Sequence, residues 1–293
     1  MSFPIYVSRN GALIPPSQAC ISVFNPAIYG AYGVYESMQV VRGVPFALEA
    51  HLNRLAHSAD VLGLLLPADL DTIARWIGEV LAANATADCT LRLFVLGGEN
   101  DGKSVAYIWP QPPTVYPPDY YTLGTTAITF EAQRYLPEAK SLNTLSSFMA
   151  QRLARAAAAH EALLYHHGFL TEGSNSNLFA VVGGVLCTPP RHTVLAGVTR
   201  DIVLKLAAQH GIPFQERPLP LAEMPQWEEC FITSTSRHVM PISSIDGRPV
   251  GDGRVGAVTR RLMALYEAYF AERTAKQPQA VASTTVAVGA SSP

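Results

Sequence analysis

Lys140 is one of only four lysines among the 21 lysines and arginines of this 293-residue chain. It sits in Ala139-Lys140-Ser141-Leu142-Asn143, and further on comes Thr171-Glu172-Gly173-Ser174-Asn175-Ser176-Asn177-Leu178-Phe179. A lone amine, paired with a carboxylate held in a Gly/Ser/Asn turn, suits Schiff-base chemistry. The amine forms an imine with an aldehyde cofactor, and the carboxylate keeps the cofactor's pyridine nitrogen protonated. Such an amine needs a depressed pKa, which a partly desolvated site near other cations supplies. Position alone argues a plainer case. A lysine between a strand and a helix is commonly a solvated charge, and a glutamate before Gly-Ser commonly caps a turn. Yet the run Gly173 to Asn177 carries more donors and acceptors than a turn needs. A glutamate at the edge of the apolar strand Leu178 to Val182 is also costly to bury unpaired.

Other segments add polar groups of the same kind. Gly197-Val198-Thr199-Arg200 opens a helix with Thr199 as a natural N-cap, and free amides at a helix start make a ready phosphate site. Thr233-Ser234-Thr235-Ser236 offers further donors, or is only a polar strand end. Arg54, in His51-Leu52-Asn53-Arg54-Leu55, lies beside the apolar stripe of its helix, where it snorkels or turns its planar fork to an anion. Together these describe one anionic, aldehyde-bearing cofactor. His166-His167 is read as no site, because adjacent strand residues point to opposite faces. No His/Cys/carboxylate cluster has metal spacing, so no metal is expected.

These residues must be positioned by an α/β chain. Asn10-Gly11 and Arg42-Gly43 are hairpin signals, the second joining strands at 33–41 and 44–48. Helical spacing of Leu52, Leu55, Ala59 and Leu62 predicts a helix over 49–65, and a second is predicted over 71–83. Strands are expected at 90–96 and 104–109. Pro110-Gln111-Pro112-Pro113 and Pro117-Pro118 then break the pattern, since proline sustains neither a helix nor an interior strand. A domain boundary is placed there. The second part carries a strand at 125–130, a helix over 143–160, two strands meeting at Gly183-Gly184, a helix from Thr199 ending before Gly211, and a last helix over 255–273. Residues 277–293, small and polar, read as disordered.

Composition is that of an ordinary soluble enzyme, 48% hydrophobic and 15% charged with a formal net charge of -2. That balance gives no reason to expect nucleic acid or an anionic membrane as a partner. The four cysteines are far apart and read as buried thiols of a reducing compartment. Neither a secretory signal nor a membrane span is seen, so the expected location is cytoplasmic.

The motifs also occur in a known order: Tyr29-Gly30 through Gly33-Val34-Tyr35-Glu36, then His51 to Leu55, Lys140 to Asn143, Glu172-Gly173-Ser174, Gly197 to Arg200, and Ile245-Asp246-Gly247-Arg248-Pro249-Val250-Gly251-Asp252-Gly253. In this the chain resembles the class IV, fold type IV aminotransferases dependent on pyridoxal 5'-phosphate, the group of branched-chain and D-amino-acid aminotransferases and aminodeoxychorismate lyase. The resemblance implies a small N-terminal α/β domain (1–118), a larger barrel-like cofactor-binding domain (119–275) and a tail (276–293). It implies a homodimer with active sites near the subunit interface. It also implies that Lys140 forms the internal aldimine and moves the proton between substrate Cα and cofactor, and that Glu172 binds the pyridine nitrogen. Arg54, the Val198 and Thr199 amides, Ser234 and Thr235 would hold the phosphate.

Tyr35, Gln39, Arg92, Ser236 and Arg237 are the substrate-side candidates. Tyr35 matches a pocket tyrosine of the family. Arg92, in the apolar strand Leu91 to Leu96, either faces solvent or needs an anion such as a substrate carboxylate. The segment Gly97 to Gly102 has no Arg-x-His pair of the D-amino-acid type. Ser37-Met38-Gln39 stands where branched-chain enzymes have Gly-(Ile/Leu)-Arg, and Arg237-His238 replaces a small residue and a glutamate. The pocket thus copies neither subgroup. Transamination from an amino acid or primary amine to a 2-oxo acid is the expected reaction, with pyruvate-releasing lyase chemistry as the alternative.

Overall fold

The structure is a computed structural model and describes residues 4–98 and 104–275. The tail and most of the Gly97 to Gly102 segment lie outside the described residues. The first unit comprises strands β1 (Val7–Arg9) and β2 (Ala12–Ile14), helix α1 (Pro26–Tyr29), β3 (Gly33–Val41) and β4 (Val44–Pro45). Helices α2 (Leu48–Leu62) and α3 (Leu70–Ala83) follow, then β5 (Cys89–Leu96) and β6 (Val105–Gln111). Its six strands form one sheet in the order β2-β1-β6-β5-β3-β4. Alternation decides the two faces. Val34, Met38, Val40, Leu91, Leu93 and Val95 turn inward and pack with Leu52, Leu55, Ile73, Ile77 and Val80 of the two helices. Tyr35, Ser37, Gln39, Arg92 and Phe94 therefore share the face away from α2 and α3.

The proline-rich stretch begins inside a strand, because β6 runs through Pro110. β1 pairs with β6 only at Tyr107 and Ile108. Beyond that point one edge of β6 is open, where a missing N–H costs no ladder bond.

The second unit begins with α4 (Asp119–Thr122), β7 (Thr125–Glu131), α5 (Leu145–Ala156), β8 (Glu161–His166), β9 (Phe169–Gly173), β10 (Ser176–Val182) and β11 (Val185–Thr188). It continues with α6 (Val198–Gln209), β12 (Phe214–Glu216), β13 (Leu219–Pro220), β14 (Glu229–Ser234), β15 (His238–Ile245), β16 (Arg248–Pro249) and α7 (Ala257–Ala275). The sheet runs β12-β11-β10-β14-β15-β7-β8-β9-β13, and β9 also pairs with β10. That extra pairing closes a ring of β10, β14, β15, β7, β8 and β9, which is the barrel-like core of a two-domain fold. Phe179, Val181 and Phe231 on one face of β10 and β14 pack against α6 and α7. Leu178, Ala180 and Ile232 on the other enter a second cluster around Trp227.

Several local expectations shift. α5 is shorter than the 143–160 span, since Ala158 turns left-handed and His160 N bonds Thr126 O at 2.9 Å as β8 begins. Thr199 is not the N-cap of α6. Gly197 is, and Thr199 is the second helical residue. His167 lies in a left-handed turn, so the His166 and His167 rings come together at 3.8 Å instead of facing apart. Cys20 is exposed, whereas the other three cysteines are buried. No helix among the described residues is long and apolar enough to cross a membrane. None of their His/Cys/Asp/Glu groups could hold a metal.

Candidate active site

Glu36 is a charge on the core face of β3, between Val34 and Met38, and it is fully buried. His51 and Arg54, three apart on α2, lie on one helix face and reach it together. Arg54 Nε donates to Glu36 Oε1 and Arg54 Nη2 to Glu36 Oε2, both at 2.7 Å, in a bidentate fork. His51 Nδ1 is 2.7 Å from Oε2. Burial alone would raise the Glu36 carboxyl. The charges and hydrogen bonds of Arg54 and His51 outweigh it and hold the carboxyl well below the usual carboxylate range. Burial lowers His51 despite Glu36, so its imidazole tends to the neutral form. Arg54 Nη1 donates to Ala196 O at 3.1 Å, directly before the start of α6.

One turn on, Ser58 Oγ donates to Arg54 O at 2.7 Å and accepts from Lys140 N at 3.0 Å. The lysine segment is further laced to the open edge of β3. Tyr35 N donates to Lys140 O at 3.0 Å, Leu142 N donates to Gly33 O at 2.9 Å, and Val34 bridges Ser141. Gly33 is needed there, since a Cβ would strike Val95 O and Leu142. The result sets Lys140 Nζ 4.4 Å from the centre of the Tyr35 ring. Burial, the largest influence, lowers the Lys140 pKa, and Arg54 and Arg134 act in the same direction. Lys140 in turn lowers Tyr35.

Glu172 closes the opposite side of the cleft. Its Oε1 accepts from Arg134 Nε at 2.7 Å and its Oε2 from Leu195 N at 3.3 Å. Arg134 is itself fixed by the carbonyls of Ala139 and Pro137. Beneath the Gly173 to Ser176 turn, buried Glu161 accepts from Ser174 N, Ser174 Oγ and Ser176 Oγ. Arg237 Nη1 is 3.1 Å from its Oε2.

At the remaining end, the first intrahelical bond of α6 runs from Asp201 N to Gly197 O at 2.9 Å, leaving the Val198, Thr199 and Arg200 amides ahead of it. A Cβ on Gly197 would collide with Asn177 Oδ1. Thr233 Oγ1 is buried without a hydrogen-bond partner in the same cleft.

The cleft brings together Lys140, Tyr35, Arg54, Glu172, Val198, Thr199, Ser234 and Thr235 of the expected residues. It leaves out four. Gln39 Oε1 is 2.7 Å from His238 Nε2, Arg92 Nε donates to Gln111 Oε1 at 3.1 Å, Ser236 Oγ is 3.3 Å from the Tyr116 hydroxyl, and Arg237 is tied to Glu161. Sequence reading missed Arg134 and Glu161, and it gave no individual role to Glu36, His51, Asn177 or Thr233, which it met only inside longer motifs. Only Glu36 left a mark, as a charge in phase with the inward apolar residues of its strand. A cationic end with free helix amides, an amine within reach, a carboxylate across the gap and an orphaned hydroxyl fit a flat phosphorylated aldehyde.

Residues 33–245 match the family described as amino-transferase class IV. The chain belongs to the class IV aminotransferases. It is 35% identical over 268 residues to a Methanocaldococcus jannaschii protein provisionally named branched-chain-amino-acid aminotransferase, covering 86% of this chain and 92% of that one. It is 32% identical to a Bacillus licheniformis D-alanine aminotransferase, covering 91% and 98%. Among solved structures, a T.th. branched-chain amino acid aminotransferase with pyridoxamine 5'-phosphate superposes with a TM-score of 0.86 at 28% identity, covering 95% and 97%. This class IV aminotransferase is a transaminase whose cofactor is pyridoxal 5'-phosphate, and these relatives do not favour the lyase alternative.

Proposed function

We propose that Lys140 is the catalytic amine of this transaminase and that its amino donor carries an apolar side chain. The observation that carries the first part is the meeting of Lys140, Tyr35 and Glu172 in one cleft with the start of α6. Arg54, the Val198 and Thr199 amides, Ser234 and Thr235 would hold the phosphate, and Glu172, oriented by Arg134, would bind the ring nitrogen. When bound, the cofactor supplies an aldehyde carbon that takes the amino group and a ring that accepts charge from the substrate Cα. Lys140 would take the proton from the substrate Cα and hand it to the carbon that came from the aldehyde. A lowered pKa raises the share of free amine at neutral pH, as a general base requires. Tyr35 walls the amine from water.

Support for an apolar donor comes from the Tyr35 face of the first sheet. Tyr35 meets Phe94 at 5.7 Å and Phe94 meets Trp109 at 5.0 Å, both edge to face. Phe94 and Trp109 also line an open apolar groove with Val7, Ile21 and Leu96. Arg92, on the same face of the sheet, is already bonded to Gln111, and Arg237 to Glu161.

A homodimer is part of the same reading. α5 is inside out: Ser147, Ala150 and Ala154 are buried, while Leu145, Phe148, Met149 and Leu153 form an exposed apolar stripe, Leu145 at 68% and Phe148 at 63% exposure. A second copy covers that stripe. Domain limits at 1–118 and 119–275 and a cytoplasmic location complete the proposal.

The test is a donor panel of L- and D-amino acids and chiral amines, read by the loss of the aldehyde-form absorbance and its return with 2-oxoglutarate or pyruvate. Apolar donors should convert the enzyme faster than aspartate or glutamate. A preference for acidic donors would sink the donor assignment. Retained turnover and borohydride-trappable cofactor in Lys140→Ala would sink the lysine.

A further inference from the structure

His238 sits where the two sheets meet, outside the cleft. Its Nδ1 is 2.6 Å from Glu267 Oε1 of α7, and its Nε2 is 2.7 Å from Gln39 Oε1 of β3. Its ring lies 5.0 Å from Tyr266 and 4.6 Å from Phe270. Phe46, whose N donates to Gln39 O at 2.8 Å, enters the same aromatic seam 4.6 Å from Phe270. One imidazole thus joins the first sheet, the last helix and the β14–β15 hairpin.

The backbone of His238 makes this arrangement informative. Ser234 pairs with His238, so Thr235, Ser236 and Arg237 form a three-residue hairpin loop that His238 closes. His238 has φ +54, the left-handed conformation that glycine adopts without strain at the end of such loops. A histidine here carries a conformational cost that its side-chain contacts must offset, and those contacts run to three elements. The loop is held elsewhere too. Arg237 N donates to Ser234 Oγ at 3.3 Å, and the Tyr121 hydroxyl donates to Arg237 O at 3.2 Å.

We propose that His238 is a positioning residue: the Gln39–His238–Glu267 chain fixes the Thr235 loop against both sheets and thereby sets cofactor affinity through Thr235. This rests on the reading that Thr235 holds the phosphate. The His238 side chain does not line the cleft and acts through the loop it closes.

The experiment titrates pyridoxal 5'-phosphate into apoprotein, by absorbance, for wild type, His238→Gly, Thr235→Val, the double variant and Gln39→Leu, alongside their apo melting temperatures. Glycine accepts the left-handed backbone, so His238→Gly removes the side chain without straining the loop. His238→Gly and Thr235→Val should each weaken binding about 10-fold, and the double variant should be no weaker than Thr235→Val. Gln39→Leu, which cuts only the first-sheet arm, should weaken binding in the same direction. Wild-type affinity in both His238→Gly and Gln39→Leu with Thr235→Val weakened, or fully additive losses in the double variant, overturns the proposal. So does a drop in melting temperature with affinity unchanged, since that marks His238 as seam packing alone. Wild-type affinity in Thr235→Val moves the phosphate off this loop and overturns instead the site reading beneath it.

Discussion

Arg134 Nε lies 2.7 Å from Glu172 Oε1, and the two side chains are only 10% and 5% exposed. The carboxylate is therefore held by a guanidinium that lines the same cleft. Removing one member of a buried pair leaves the other uncompensated, at a cost of roughly 3–5 kcal/mol. Arg134→Ala should lose about that much stability in urea unfolding, and Arg134→Lys only part of it. Equal stability of Arg134→Ala and wild type would show that water already relieves the pair.

Lys140 predicts a pH dependence of the apoprotein. Burial, its largest influence, lowers the Lys140 pKa from its ordinary value. Between the folded and unfolded pKa values the unfolded chain binds more protons, so stability rises with pH there. Lys140→Met should stabilise the apoprotein near pH 7, and the gain should shrink toward about pH 10. A gain that grows with pH would contradict the sign.

Glu36 carries the opposite dependence. Its folded pKa is depressed, because Arg54 and His51 outweigh the rise that burial causes. Its contribution is present above the unfolded carboxylate pKa of about 4.3 and is lost as pH falls below it. Glu36→Gln should cost roughly 3–5 kcal/mol near neutrality, with a smaller deficit toward about pH 3. Unfolding curves of both proteins across that range measure it.

How much of this was readable beforehand follows from what each residue does. Lys140, Glu172 and the Gly197 to Thr199 segment stand in short motifs, and the cleft gathers all of them. Arg134, Glu161 and His51 act through partners distant in sequence, and no local pattern marks such pairs. Glu36 was the readable exception, a charge on the inward face of β3. Gln39 and Arg237 carried the right chemistry, but His238 and Glu161 engage them first. Among the elements, the amphipathic helices α2 and α3 followed their spacing. The ends of α5 and β6 instead depended on pairings with β7 and β1, where tertiary contacts override propensity.

Gly197 offers a test of close packing. Its φ of -71 suits any residue, so the whole effect of Gly197→Ala comes from the collision with Asn177 Oδ1. Asn177 Nδ2 donates to Leu195 O at 2.8 Å, beside the Leu195 amide that reaches Glu172. We expect a loss of about 1–3 kcal/mol in thermal or urea unfolding, together with weaker cofactor binding. Full affinity in the alanine variant would mean that Asn177 moves aside freely.

The stripe on α5 gives a test of assembly. Wild type should sediment as a dimer, and Phe148→Asp should shift it to monomer at equal protein concentration. A wild-type monomer would remove the proposed partner, and a dimeric Phe148→Asp would place the interface elsewhere.

Lys140 follows the linker in the chain, yet its backbone is stitched to β3, so it belongs mechanically to the first sheet. Tyr35 and Arg54 travel with it, whereas Glu172, the start of α6 and the Thr235 loop travel with the barrel. A hinge between the two units would leave the amine and its tyrosine wall in fixed register. Arg134, which donates to both Ala139 O and Glu172 Oε1, bridges the gap from that amine to the carboxylate opposite, so cleft width and the reach of the amine are one coordinate.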